Sequence, residues 1–203
     1  MAISADDVKK LRDQTGAGMM DCKKALTETD GDFEKAITLL RERGIAVAQK
    51  RESKAASEGI VGCYIHMGAQ IGVMVELNCE TTFVAKTDEF QQLAKDIAMH
   101  ISWSSPDYMR CEDVPAEVVE KEREVHRQWA IKQGKPEHVI ERIVDGQMKE
   151  FYSRICLVEQ AYIKDEEQTI QDLVNGVVAK LGEKIEVARF VRYRVGETQR
   201  EPA

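Results

Sequence analysis

A change of hydrophobic period between residues 71 and 101 limits the possible folds more than any other feature of the sequence. In QIGVMVELN, residues 70 to 78, apolar residues alternate with polar or small ones, as in a half-buried strand: Ile71, Val73, Val75 and Leu77. A helical period with one apolar face follows it: Phe90, Leu93, Ala94, Ile97, Ala98 and Ile101. The sequence therefore predicts a strand that leads into a long helix.

Two further segments predict strands that can pair with this one. The segment GIVGCYI, residues 59 to 65, precedes the strand, and HMGAQ between them predicts a hairpin with a glycine-containing turn. Near the end, residues 183 to 197 carry apolar residues of one parity, and the interruption at Arg189 and Phe190 predicts a β-bulge. We therefore predict the α+β class, with a three-stranded antiparallel sheet packed against helices.

The N-terminal segment predicts a small helical module. Three helices fit residues 1 to 44, because Ser4 and Asp7 form a capping box, TGAG at 15 to 18 breaks the chain, and an aspartate after Thr29 can cap a third helix. Residues 45 to 57 have little apolar content after Val47 and predict a linker, which can include some helix. We therefore expect a three-helix module with its linker at residues 1–54 and a core domain at 55–203. A core this small is marginal alone, so we expect the module to present a surface.

Two charged helices are predicted in the middle of the chain, each with a proline in its first turn. The first begins at Pro115, and its predicted apolar face consists of Val118, Val119, Val125 and Trp129. The second begins at Pro136 and runs to about Phe151. A last helix, from about Ile170, ends at Gly182, which fits a helix C-cap.

Charge and cysteine content exclude several classes of protein. A net charge of −7 argues against direct nucleic-acid binding, which needs a concentrated basic face. No apolar run approaches the roughly 20 residues that span a bilayer, and the N-terminus has no signal-peptide pattern, so we expect no membrane association. The five cysteines are scattered and include no Cys-x-x-Cys pair. We therefore expect a protein of the reducing cytoplasm.

Catalytic and metal-binding patterns are weak. The sequence contains no phosphate-binding Gly-x-x-x-x-Gly-Lys motif and no histidine cluster with metal-ligand spacing, so we expect no cofactor and no metal. The best candidate for an enzyme is a thiol pair, Cys79 with His66, which the hairpin could bring together beside a helix start that lowers a thiol pKa. No orienting group or oxyanion hole accompanies the pair, and we expect a protein that is not an enzyme.

Two groups of apolar residues lie where a core residue is not required. Of the adjacent Met19 and Met20, only one can face the small core well, so the other is expected at the surface unless both are partly buried. Phe83 stands in TTFVAK, between the predicted strand and the long helix. It either packs under that helix or is displayed to a partner.

Four stretches carry a resemblance to a known family. They are LRDQTGAGMMDCKKAL at 11 to 26, GVMVELNCETTFVAKTDEF at 72 to 90, LVEQAYIKD at 157 to 165, and LGEKIEVARFVRYRVGE at 181 to 197. They resemble bacterial elongation factor Ts, in the same order and over essentially the whole chain. The length is similar to the short form of that family, which lacks a second core subdomain and an inserted coiled coil.

The resemblance implies a guanine-nucleotide exchange factor for elongation factor Tu, bound in its GDP-loaded and nucleotide-free states. It also implies an N-terminal module like a ubiquitin-associated domain and a dimerisation-type α/β core. The sequence does not determine the oligomeric state, and a homodimer is one candidate. The segment that matches the family's magnesium-displacing tip is Thr82, Phe83, Val84 and Ala85. The residues that match its N-terminal contact with the GTPase domain are Arg12, Met19 and Met20.

The sequence departs from the family pattern at three positions. Thr82 stands where the family usually has Asp, so a hydroxyl replaces a carboxylate that could act on the magnesium site. Gln70 and Ala161 stand where a basic residue and a proline are common. Two alternatives stay open at this point: a helical adaptor without exchange activity, and the Cys79/His66 thiol enzyme.

Overall fold

The computed structural model describes residues 3–197 and confirms the α+β class. Two compact units make up the chain: one ends at Met99 and resumes at Asp172, and the other is His100–Gln171. The first unit contains the N-terminal helices and the three-stranded sheet. These units divide the chain at other positions than residue 54, and that boundary stays a prediction for a truncated chain.

The three predicted N-terminal helices are present. They are α1, Ala5–Thr15; α2, Met19–Glu28; and α3, Phe33–Arg51. Ser4 and Asp7 form the predicted capping box, and Asp32 caps α3 by accepting a hydrogen bond from the Lys35 N–H. A small apolar cluster holds the helices together: Val8, Leu11, Cys22, Ala25, Leu26 and Ala36.

Helix α3 continues to Arg51, so the segment predicted as a linker with some helix is helical in its first half. The reason lies in a helix that is remote in sequence, α8, Ile170–Leu181. Gly44 is buried, and a Cβ atom built on it would lie 3.6 Å from the Cβ of Ala179. Arg41 also forms an ion pair with Asp172. Close packing of small residues supports this part of α3, and such packing leaves little apolar signal in the sequence.

The predicted sheet consists of β1, Glu58–Ile65; β2, Ile71–Cys79; and β5, Ile185–Arg194. Its order is β1-β2-β5, with both neighbours antiparallel. The hairpin turn closes with a hydrogen bond of 2.9 Å from the His66 N–H to the Ile71 carbonyl, and Gly68 adopts a positive φ there.

The β-bulge in β5 lies at Ala188, immediately before the predicted position. Glu76 pairs with Arg189 and Leu77 pairs with Val187, so Ala188 has no partner on β2. The extra residue reverses the direction of the side chains that follow. Ile185 and Val187 are buried, whereas Val191 and Tyr193 are exposed although they have the same parity.

Helices cover one face of the sheet. After the single turn α4, Thr82–Ala85, helix α5 runs from Asp88 to Ser104, and every residue of its predicted apolar face is buried. A Cβ atom on Gly62 of β1 would lie 2.9 Å from the Cβ of Ala94 of α5. Helix and strand therefore approach closely enough at this point to require a residue without a side chain.

The second unit contains α6, Ala116–Lys132, and α7, Glu137–Ile155. They share an apolar cluster that includes Ala130, Val144 and Met148. The predicted face of α6 is correct for Val118 and Val119 but wrong for Val125 and Trp129, which are exposed. Arg123 and Arg127 occupy the side of α6 towards α7 instead, where both pair with Glu141. Pro115 and Pro136 each precede the first helical residue rather than lie within the first turn.

A second, two-stranded sheet was not predicted. It consists of β3, Ala161–Tyr162, and β4, Asp165–Thr169, which pair antiparallel. These strands are short, and β4 is polar, so they lack the alternation that identifies a strand. Within the described residues, no helix is long and apolar enough to cross a membrane.

Candidate functional site

The junction between β2 and α5 consists of two successive turns, each capped by a threonine. The Thr81 side chain accepts a hydrogen bond of 3.4 Å from the Val84 N–H and begins α4. The Thr87 side chain accepts one of 3.3 Å from the Phe90 N–H at the start of α5. It also donates to the Val84 carbonyl at 2.8 Å. The single turn α4 is thus fixed at both ends by side-chain hydrogen bonds.

This turn separates displayed side chains from packed ones. Phe83 is 83% exposed, and Thr82 beside it is also exposed. Val84 and Ala85 are buried, with 8% and 6% exposure. Of the two interpretations of Phe83, packing under α5 is therefore excluded, and the aromatic side chain is displayed at the tip of the junction.

Two carboxylates join the junction to the segment between α8 and β5. Glu183 accepts hydrogen bonds from Thr81 through both oxygens: from the backbone N–H at 2.9 Å and from the hydroxyl at 2.7 Å. In the opposite direction, Glu80 accepts one of 2.7 Å from the Lys184 N–H. Each segment thus donates a backbone N–H to the carboxylate of the other.

The end of α3 reaches the same place. The Arg51 guanidinium lies 3.4 Å from both carboxylate oxygens of Glu80. Arg51 is the last residue of α3, and Glu80 immediately precedes Thr81. The N-terminal helices therefore contact the base of the turn that displays Phe83.

The N-terminal candidates lie on the surface. Met19 and Met20 begin α2, and their side chains are 47% and 64% exposed. Cys22 and Leu26 supply the buried face of that helix. The expectation that one methionine faces the core is therefore wrong, and both are displayed. Arg12, near the end of α1, is exposed as well.

The structure rules out a thiol site made of Cys79 and His66. Cys79 pairs with Glu58 at one end of the hairpin, and His66 follows Ile65 at the other end. The length of β2 separates them by roughly 25 Å. Burial and the nearby Glu183 carboxylate raise the pKa of the Cys79 thiol, which opposes formation of a thiolate. The Cys79 thiol instead donates a hydrogen bond of 3.2 Å to the Thr81 carbonyl.

An exposed apolar surface on the sheet was missed by sequence reasoning. The side of the three strands opposite α5, here called the outer sheet face, displays Val61, Ile65, Met74, Val191 and Tyr193. Both β1 and β5 carry apolar residues at positions of both parities, a pattern of strands with two apolar faces. This pattern is the feature of the sequence from which the outer sheet face could have been predicted.

Within the described residues, no group of three or more histidine, cysteine or acidic side chains could hold a metal ion. The displayed features are instead an aromatic tip, a methionine pair on a short helix, and the outer sheet face. Exposed apolar side chains of this kind are typical of surfaces that bind other proteins.

Comparison with known proteins identifies the family to which the chain is similar. A family model described as elongation factor TS matches residues 4–197. Elongation factor Ts of Moorella thermoacetica is 58% identical over 195 residues, which cover 96% of this chain and 96% of that protein. Elongation factor Ts of Geobacter metallireducens is 55% identical over 97% of this chain and 91% of its own length. Elongation factor Ts of Thermoanaerobacter pseudethanolicus is 55% identical, with 96% of each chain covered.

Proposed function

The chain belongs to the elongation factor Ts family of translation elongation factors, and from this premise we propose that it promotes GDP release from elongation factor Tu during elongation. Its partners are the GDP-bound and the nucleotide-free GTPase. The reaction forms and breaks no covalent bond, so the protein acts as an exchange factor without being an enzyme in the chemical sense. We place its action in the cytoplasm, where elongation takes place.

Exchange of this kind is a problem of coupled binding. A factor that binds the nucleotide-free GTPase more tightly than the loaded form lowers nucleotide affinity by the same ratio. The side chains that matter are therefore those whose contacts form only when the nucleotide site is disturbed. A displayed apolar side chain on a firmly held turn suits this role, because it loses little order when it is buried by the partner.

Phe83 carries the proposal. Its 83% exposure, directly before the buried Val84 and Ala85, supports insertion into the GTPase near the bound magnesium. Burial of one phenylalanine side chain is worth roughly 1.5–3 kcal/mol, which corresponds to about one to two decades in an equilibrium constant. Phe83 alone therefore supplies a part of the exchange effect, and the rest has to come from the remaining interface and from loss of the magnesium ion.

The neighbours of Phe83 have different roles. Thr82 is exposed and stands beside it, so its hydroxyl can reach the partner and form hydrogen bonds there, but it brings no negative charge to the magnesium site. Val84 and Ala85 are buried. We assign them to the support of the turn rather than to direct contact with the partner.

A second contact is proposed at the N-terminal helices. Met19 and Met20 are exposed side by side on α2, and Arg12 is exposed at the end of α1. Methionine side chains adapt to the surface that they meet, and arginine adds directional hydrogen bonds. We propose that this surface packs on the GTPase domain and holds the complex while Phe83 acts.

The outer sheet face supports a further proposal, a homodimer. An exposed apolar surface can pair with its own copy around a two-fold axis. The face also carries the ion pair of Glu76 with Arg189 at 2.6 Å, so these two charges are balanced within each copy. Light scattering over a range of protein concentrations tests this part independently of exchange.

Release of fluorescently labelled GDP from elongation factor Tu tests the proposed function directly. An exchange factor raises the release rate in proportion to its concentration until the GTPase is saturated. A helical adaptor that merely binds would leave the release rate at its spontaneous value. That outcome would overturn the proposal.

A further inference from the structure

The turn that displays Phe83 is too short to be stable by itself. Helix α4 has four residues, Thr82–Ala85, and formation of a first helical turn is unfavourable in isolation. Its exposed aromatic side chain adds no packing of its own. The position of Phe83 therefore depends on the burial of Val84 and Ala85, on the hydrogen bond from Thr87, and on the contacts that hold the residue immediately before the turn.

The contact that holds the capping residue Thr81 comes from a residue 102 positions away in the sequence. Glu183 accepts the hydrogen of the Thr81 hydroxyl at 2.7 Å, which leaves a lone pair of that hydroxyl for the Val84 N–H. The same carboxylate accepts the Thr81 N–H at 2.9 Å. Glu183 thus orients the hydroxyl that caps α4 and also anchors the backbone of the capping residue.

The position of Glu183 in the fold explains why a side chain is needed here. The last backbone pair of β2 and β5 is Cys79 with Ile185. Beyond it, the two chains diverge towards α4 and α8, and Glu80 and Glu183 continue the connection through their carboxylates. Two oxygens at fixed spacing bind the N–H and the hydroxyl of Thr81 together, an arrangement that a side chain with a single acceptor cannot reproduce.

We propose that Glu183 is a positioning residue for nucleotide exchange: it acts through Thr81 to hold Phe83 in the orientation that enters the GTPase. This inference rests on the proposed function of Phe83. It assigns no contact with the partner to Glu183 itself.

The first test measures GDP release from elongation factor Tu loaded with labelled GDP, with the full chain as catalyst. Glu183→Ala should lower the maximal release rate roughly tenfold, the worth of about one charged hydrogen bond. The concentration for half-maximal release should change little, because the other contacts are intact. Glu183→Gln keeps one acceptor oxygen, and its maximal release rate should lie between those of the parent protein and of Glu183→Ala. A rise in half-maximal concentration with an unchanged maximal rate would overturn the proposal.

The second test asks whether the effect passes through Phe83. In a Phe83→Ala background, Glu183→Ala should cause no further loss, since the displayed ring is already absent. If the double variant instead slows GDP release by the product of the two separate factors, Glu183 acts independently of Phe83, and the proposal is overturned. Glu141→Gln, which removes an ion-paired carboxylate of α7 in the other compact unit, is the matched control and should leave release unchanged.

Substitutions at Thr81, which donates both hydrogen bonds to Glu183, control for effects on folding. Thr81→Val removes the hydroxyl at nearly constant volume, and Thr81→Ser restores it, so slow release should follow the first variant and be rescued in the second. If Glu183→Ala does not fold, this pair decides the matter by the same criterion. If Phe83→Ala slows release and the variants of Glu183 and Thr81 do not, the positioning role of Glu183 is wrong, while the role proposed for Phe83 stands. If Phe83→Ala leaves release at the parent rate, the role proposed for Phe83 fails, and the role of Glu183 fails with it.

Discussion

Phe83 and Phe90 stand on either side of the start of α5 in opposite environments: the first is 83% exposed, and the second is completely buried. Phe90 is buried on the same face of α5 as Leu93 and Ile97. The junction therefore contains one aromatic residue for folding and one that folding does not need.

The first prediction follows from this division. Phe83→Ala should leave the melting temperature of the free protein nearly unchanged but slow GDP release by roughly one to two decades. Phe90→Ala is the matched control, and it should lose about 3–5 kcal/mol of stability through the cavity that it leaves. Calorimetry and the GDP-release assay measure the two effects. A large loss of stability in Phe83→Ala would contradict the proposed role.

The second prediction concerns the methionine pair. Because both side chains are exposed, Met19→Asp and Met20→Asp should each weaken binding to elongation factor Tu at unchanged melting temperature. Titration calorimetry gives the affinity of each variant. Leu26→Ala, on the buried face of the same helix, is the control and should lose about 2–5 kcal/mol of stability. Unchanged affinity in both aspartate variants would remove this surface from the interface.

The third prediction addresses the residue before Phe83. Thr82→Asp should change the release rate less than Phe83→Ala does, and the change should depend on magnesium concentration, since a charge near a divalent ion acts on ion binding. Release measured over a series of magnesium concentrations tests this. Thr82→Asn, which has a similar shape and no charge, should lack the magnesium dependence. Equal behaviour of the two variants would exclude an electrostatic effect.

The fourth prediction concerns the N-terminal helices. We propose that a chain without residues 1–54 still folds as a core domain and binds elongation factor Tu at least about tenfold more weakly, through loss of the Met19 and Met20 contact. It should also melt several degrees lower, because α8 loses the contacts of Gly44 and Arg41. Circular dichroism and titration calorimetry measure both quantities. Full exchange activity of this truncated chain would contradict the prediction.

The fifth prediction concerns pH. His100 is buried, and its Nε2 lies 2.9 Å from the Gln160 side-chain oxygen, while its Nδ1 has no hydrogen-bond partner. Burial lowers the pKa of His100 below the ordinary value of 6.5. The unfolded chain therefore binds a proton at a higher pH than the folded chain does. The stability due to neutral His100 is complete above pH 6.5 and declines as the pH falls below it.

Denaturant unfolding between pH 7.5 and pH 5 measures this dependence. His100→Gln should reduce the loss of stability on acidification. An identical pH dependence in the parent protein and in His100→Gln would contradict the assignment.

Prediction from the sequence succeeded where a local pattern has one interpretation. The face of α5 could be read correctly, because its apolar residues keep a single helical period next to a strand of clear alternation. Helix α6 has apolar residues on more than one side, and the sequence does not say which side meets α7. Val125 and Trp129 were assigned to the wrong side for this reason.

The candidate site shows the same limit. The sequence allows two interpretations of Phe83, packing under α5 or display to a partner, and only the structure distinguishes between them. The contact of Glu183 with Thr81 joins residues 102 positions apart and leaves no periodic trace. The contact of Gly44 with Ala179 also depends on chain segments that meet only after folding. Long-range hydrogen bonds and small-residue packing are therefore the parts of this fold that could not be predicted from the sequence.

The unpaired residue Ala188 decides which residues of the second half of β5 face the interior. Before it, Ile185 and Val187 point to the interior; after it, residues of the same parity point outwards. If β5 paired with β2 without a bulge and kept all its residues, Val191 and Tyr193 would turn inwards and Phe190 outwards. The hydrophobicity of the strand would be the same, yet its two faces would exchange residues over half its length. Deletion of Ala188 removes only the residue that has no partner, so every other pair of the register can stay in place.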